Sequence, residues 1–281
     1  MIVLTAGVLR AVIDSSRGFA CTSLHVDDWD VLGPQGITVR FPWTGDRAAR
    51  PARLRVGPRD LEFGGGPAGG LANEPWTMQS EDRVNGGTSV RARLMTDPSA
   101  RAYPYSLVLS GTWRLDDEGL RLELELVNPN PVHAPFGLGI RVHLAAIGNN
   151  VLVLAPAEEW WQDDAPTPVG SHGGPDLRRP FAIAERIENR FTRRHFANLR
   201  TQVAVLAPAH GREIWLNTSS DFREVEIAVN PDGSGSLESA TCTPDAFALH
   251  AAGVATGLRV LAPGETWRGS ALLVAQNRPI G

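Results

Sequence analysis

The chain has 281 residues, 42% of them hydrophobic and 21% charged, with a formal net charge of −4. This ordinary globular composition supplies material for a large core, and it lacks the basic stripe that phosphate-backbone binding requires, which argues against nucleic acid as a partner. All 27 positive side chains are arginine, so mechanisms that need a lysine amine (Schiff-base aldolase, pyridoxal-phosphate enzyme, P-loop nucleotidase) are excluded.

In chain order, the apolar run Met1 to Ala6 is followed closely by Arg10 and Asp14 and carries no small-residue cleavage site, so it reads as a first strand and not a leader. The glycine-rich piece Gly64 to Gly70 lacks both the lysine and the strand-to-helix setting of a phosphate loop and reads as a connection. Strands are predicted at Ser106 to Leu115, Leu120 to Leu126, Ile140 to Leu144, Val151 to Leu154, Thr201 to Leu206, Glu224 to Val229 and Ala271 to Ala275. The clearest is Leu120 to Leu126, where leucines alternate with charged residues as on a half-buried sheet. Turn signals separate them at Asp117-Glu118-Gly119, Asn128-Pro129-Asn130-Pro131 and Pro231-Asp232-Gly233. The 21 prolines and 29 glycines leave room only for short helical turns, the best being Ala246 to Ala252 after Thr243-Pro244-Asp245. The expectation is an all-β fold, a large antiparallel sandwich forming one domain over residues 1–281.

Cys21 and Cys242 have no metal-ligand spacing and make no disulfide framework, which fits a reducing compartment. No stretch approaches the roughly 18 consecutive apolar residues of a membrane span, and a cytoplasmic location is expected. The histidines show no His-x-x-x-His spacing and no Gly-x-Ser-x-Gly elbow is present, so neither metal hydrolysis nor a serine hydrolase finds support.

Several stretches, in order over most of the chain, resemble the aldose 1-epimerase (galactose mutarotase) family. They are Arg17-Gly18-Phe19-Ala20-Cys21-Thr22-Ser23-Leu24, Phe41-Pro42-Trp43 with Asp46-Arg47, and Gly69-Gly70-Leu71-Ala72-Asn73-Glu74-Pro75-Trp76. Further on come Arg114-Leu115-Asp116-Asp117-Glu118-Gly119-Leu120 with Asn128 and Pro135-Phe136-Gly137-Leu138-Gly139, then Leu237-Glu238-Ser239 through Pro244-Asp245-Ala246-Phe247, and Leu261-Ala262-Pro263-Gly264-Glu265. Their shared order carries the resemblance more than any one fragment. It implies the family's β-supersandwich, a sugar as small-molecule partner held in a groove of the larger sheet, no cofactor and no metal. The chain is expected to act away from membranes and nucleic acid, as a monomer or homodimer.

Mutarotation needs one base at the C1 hydroxyl and one acid at the ring oxygen. By motif, Glu238 falls on the family's base; read alone, it is a solvated hairpin glutamate. At the family's acid histidine this chain has Arg141, which can stabilise developing charge but is a poor proton donor. His143, two residues on, shares the face of Arg141 in a strand and is a displaced acid candidate, or a packing residue. A second family histidine aligns with Gly69 and is missing. Arg47 matches a substrate-binding arginine and Glu188 a hydroxyl-binding aspartate; a surface ion pair and a turn carboxylate are the plainer alternatives. Of Trp76, Trp160 and Trp161, Trp76 is favoured to stack on a sugar, although most sandwich tryptophans are core. Four readings stay open: an active epimerase, a carbohydrate-binding protein of this fold without catalysis, an epimerase for an anionic sugar held by Arg141 and Arg47, and a lectin-like or structural sandwich unrelated to the family.

Overall fold

The computed structural model describes residues 1–45, 51–56, 59–63, 70–84, 87–98, 103–146, 151–154, 158–160, 178–180, 184–186, 192–197, 203–207 and 212–277. Arg47, Trp161, Glu188 and the glycine-rich residues 64–69 lie outside them.

Two antiparallel sheets dominate. The larger runs, neighbour by neighbour, through Ile2–Ala6, Leu9–Asp14, Ala20–Val26, Leu32–Arg40, Gly139–Leu144, Gly235–Ala240, Glu224–Val229, Thr192–Ala197, Glu158–Trp160 and Arg178–Pro180. The second runs through Ala184–Arg186, Val151–Leu154, Val203–Ala207, Arg212–Thr218, Thr266–Asn277, Gly119–Val127, Val108–Asp116, Gly87–Met95 and Thr77–Val84. The architecture is a large antiparallel β-sandwich.

The alternation of Leu120, Leu122, Leu124 and Leu126 sends four leucines into the core while Glu123 stays exposed. One buried cluster joins both sheets, from Leu4 and Ile13 of the larger to Leu109 and Leu122 of the second. Trp113 crosses between them and donates its indole N–H to the Phe19 carbonyl at 2.8 Å, which satisfies the one polar atom of a fully buried ring.

The predicted strands are present with ends shifted by one to several residues: Val108–Asp116, Gly139–Leu144, Val203–Ala207 and Thr266–Asn277, while Val151–Leu154 and Glu224–Val229 coincide. The one helix among the described residues, Ala246–Ala251, is as short as the prolines and glycines imply. It is entered through Asp245 in the left-handed region, φ 58°, with no side-chain cap. No helix among the described residues is long and apolar enough to cross a membrane.

Strands Glu224–Val229 and Gly235–Ala240 are buried at every position, on both faces. Glu238, which read alone is a solvated hairpin glutamate, is therefore enclosed together with Glu224 and Glu226, and buried acids need partners.

Candidate functional site

The site is a single row of side chains running across five strands of the larger sheet. Register makes Thr38 the Cα partner of Arg141, Arg141 of Glu238, Glu238 of Glu226, and Glu226 of His195. Directly opposed residues on an antiparallel sheet point to the same face with Cβ atoms about 4.5–5.5 Å apart, so the row is set by backbone pairing before any side-chain contact forms. The Pro231-Asp232-Gly233 turn fixes one part of it, because closing there aligns Val229 with Gly235 and hence Glu226 with Glu238.

Arg141 is fully buried and stands between two carboxylates. Its Nε donates to Glu238 Oε2 at 2.5 Å, and its Nη2 donates to Glu226 Oε1. Glu238, 1% exposed, also accepts the Gly45 backbone N–H on Oε1 at 3.1 Å. Glu226 reaches His195 on its other side, Oε2 to Nε2 3.1 Å. Gly139 permits this closeness, since a Cβ there would lie 2.6 Å from Glu238 Oε1. The guanidinium fills the space between the acids, and among the described residues no three His, Cys, Asp or Glu groups converge as metal ligands would.

The electrostatics separate the two acids. Burial alone would raise the Glu238 pKa, but the charges of Arg141 and Arg40 and the Gly45 N–H outweigh it and hold the carboxyl below its ordinary value. Burial raises Glu226, and the nearby Glu238 charge adds to this, with Arg141 opposing only in part. Burial lowers Arg141, yet the two carboxylates win and its pKa is raised. The arginine is thus a fixed cation. Its Nε and Nη2 are both engaged by carboxylates.

His143 does share the face of Arg141, and the strand is irregular beside it. Pairing with Leu32–Arg40 jumps from Val142–Ile37 to Leu144–Leu32, so the intervening residues of that strand, including Gln35, swing away. Gly36 makes the bend at φ 65°, where a Cβ would sit 2.1 Å from the Cys21 carbonyl oxygen. The departure opens a hollow of about 210 Å³ lined by Arg17, Gln35, Thr38, Arg40, Asn73 and His143 among others. Thr38 Oγ1 and His143 Nε2 are buried there without a hydrogen-bond partner. Burial, followed by the charges of Arg141 and Arg40, pushes the His143 pKa down to about 4, so the ring is neutral at neutral pH.

The structure thus brings Glu238, Arg141 and His143 together at adjoining strands. Trp76 goes elsewhere: its ring stacks on Phe19 at 5.3 Å in the core, in space that Gly111 leaves open. Trp160 lies on Glu158–Trp160, at the far side of the same sheet. Sequence reasoning missed Glu226, His195, Arg40 and Arg17; hairpin register from the Pro231 turn was the one signal that could have found Glu226. Both thiols are buried, which pushes Cys21 and Cys242 up to about 12 and leaves them without nucleophilic character.

Comparison with known proteins places this geometry in context. The family model described as Aldose 1-epimerase matches residues 35–273. Among solved structures, a protein from Synechocystis sp. PCC 6803 superposes with a TM-score of 0.80 at 15% identity, covering 99% of this chain and 96% of that one. A galactose mutarotase-like protein from Clostridium acetobutylicum gives 0.78 at 15% identity, covering 98% and 94%. Galactose 1-epimerase from Lactobacillus acidophilus NCFM gives 0.73 at 12% identity, covering 96% and 91%. No curated protein matches by sequence.

Proposed function

The chain belongs to the aldose 1-epimerase family, and we propose that it interconverts the anomers of a hexose bound at the hollow beside Glu238, Arg141 and His143. The observation that carries this reading is an ionised, immobilised carboxylate at the base position, held by Gly45 and Arg141 one strand away from a polar hollow. A carboxylate has about four lone-pair sites, so two hydrogen bonds leave Glu238 able to accept the C1 hydroxyl proton. As that proton moves to Glu238, the bond from C1 to the ring oxygen breaks and the ring oxygen takes a proton from His143. Rotation about the C1–C2 bond of the open aldehyde and reversal of both transfers give the other anomer. Arg141 keeps Glu238 oriented and offsets the charge that accumulates.

With a pKa of about 4, His143 carries its second proton in roughly one molecule in a thousand at pH 7, so the acid limits the rate. That same observation, with Glu238 nearly inaccessible, favours a second reading, a sugar-binding protein of this fold without catalysis. NMR exchange spectroscopy on an anomer mixture with wild-type protein separates them. Exchange faster than buffer supports the epimerase; exchange equal to buffer together with measurable sugar binding selects the second reading.

A further inference from the structure

Thr38 carries a buried hydroxyl that the fold leaves unused. Its Oγ1 has no hydrogen-bond partner, although a hydroxyl can donate one bond and accept two. The cause is local. Across one edge of its strand the Cα partner is Arg141, whose guanidinium is turned toward Glu238 and Glu226. Across the other edge, Ala20–Val26 meets Leu32–Arg40 in register at Cys21–Ile37, and the adjoining Ala20 has no polar side chain to offer. The hollow opens at this point, with Thr38 and His143 both in its wall and Thr38 Oγ1 and His143 Nε2 both unpartnered. Buried polar atoms are destabilising until something bonds them, so the wall is fitted to a ligand whose own polar atoms reach both.

The strand order fixes which part of a sugar comes to Thr38. Glu238 and Thr38 flank Arg141 in one cross-strand row, on the strands to either side of Gly139–Leu144, and His143 lies one step along that central strand on the same face. Neighbouring strands are about 4.8 Å apart, so Glu238 and Thr38 are separated at their backbones by about 10 Å, comparable to one pyranose edge with a hydrogen bond at each end. In the reaction proposed above, Glu238 meets the C1 hydroxyl and His143 the ring oxygen. Covalent order then sets the rest. The atom after the ring oxygen is C5, and its substituent points away from C1, toward Leu32–Arg40 and Thr38. A hexopyranose carries a hydroxymethyl group at that position, and a pentopyranose carries only hydrogen.

We infer that Thr38 is a specificity-determining residue, its hydroxyl bonding the C6 hydroxyl of a hexopyranose, so that the site selects hexoses over pentoses and over 6-deoxyhexoses. For the direction in which the sugar lies, this rests on the reaction proposed above. An analogue without the C6 hydroxyl leaves Thr38 Oγ1 unbonded in the complex and shut off from water. A site arranged around a hydroxyl rejects the analogue lacking it more strongly than an apolar pocket rejects a missing methylene.

Calorimetric titration tests this with two series. The first is D-galactose, L-arabinose (the same ring without C6) and D-fucose (C6 kept, its hydroxyl absent); the second is D-glucose, D-xylose and 6-deoxy-D-glucose. In at least one series the hexose should bind about tenfold tighter than both analogues. Thr38→Val, which keeps the branched shape and removes the hydroxyl, should bring that ratio to within about twofold of one, and Thr38→Ser should retain most of it. In sugar-free protein the urea midpoint of Thr38→Val should equal or exceed that of the wild type, because the hydroxyl removed has no partner. Equal affinity across both series, no binding of either hexose, or a ratio untouched by Thr38→Val overturns the inference. A midpoint lowered in Thr38→Val and kept in Thr38→Ser overturns it as well, since the hydroxyl would then belong to the fold's own bonding. A hexose preference that follows Thr38 without anomeric exchange leaves this inference standing and removes the epimerase. Exchange of hexose and pentose alike, at equal affinity, leaves the epimerase standing and removes this inference.

Discussion

Arg141 Nε meets Glu238 Oε2 at 2.5 Å across two neighbouring strands, and the same guanidinium bonds Glu226 one strand further on. One cation therefore orders two buried acids.

Removing that cation leaves two carboxylates facing each other out of water. Breaking a buried ion pair from one side costs about 3–5 kcal/mol, so Arg141→Met should lower unfolding free energy by about that much in urea titrations. The double variant Arg141→Met/Glu226→Gln should recover part of the loss, because one of the stranded charges is gone. A single-variant loss near zero would mean the pairing contributes nothing.

His143 gives the fold a defined pH dependence. Its pKa is about 4 folded and about 6.5 unfolded, so between those values the unfolded chain binds more protons. Stability is then fully present above pH 6.5 and declines as pH falls toward 4. Urea midpoints measured from pH 7 to 4.5 should show the decline, and His143→Gln should flatten it. If His143 is also the acid, exchange per folded molecule should rise as pH falls from 7 toward 5; a flat profile would remove it from that role.

Gly139 protects the geometry of Glu238. Gly139→Ala would set a methyl group 2.6 Å from Glu238 Oε1 and force the carboxylate aside. Overpacking of this kind costs about 1–3 kcal/mol, so the protein should still fold. Anomeric exchange should fall at least tenfold, read in the same NMR assay, and exchange at the wild-type level would show that the carboxylate tolerates displacement.

Trp76 distinguishes core from groove. Its ring stacks on Phe19, and Trp76→Ala should cost about 3–5 kcal/mol while the folded fraction binds sugar as before. Weakened sugar affinity with little loss of stability would assign the ring to the groove instead.

The alternation of Leu120 to Leu126 and the turns at Gly119 and Pro231 made the sandwich legible, because half-buried strands write their burial into a two-residue period. Strand Glu224–Val229 defeats that reading. It is buried on both faces, so its alternating glutamates look solvated when one of them, Glu226, is the partner of Arg141. His195 and Arg40 were invisible for a related reason: each joins the site through pairings between strands far apart in the chain, and register across such distances is written in no local pattern. Glu238, Arg141 and His143 stand as candidates only through family resemblance and strand spacing, and the identity of their neighbours came from the fold.

The most direct measurement compares anomeric exchange by wild type and Glu238→Gln on the best-bound hexose at pH 7. The amide keeps the shape, but its single oxygen can accept from only one of Arg141 and Gly45, and it cannot take up the proton. Loss of general-base catalysis is worth about 10²–10⁴-fold, so the account predicts a fall of at least a hundredfold with the fold intact. Undiminished exchange by Glu238→Gln would contradict it.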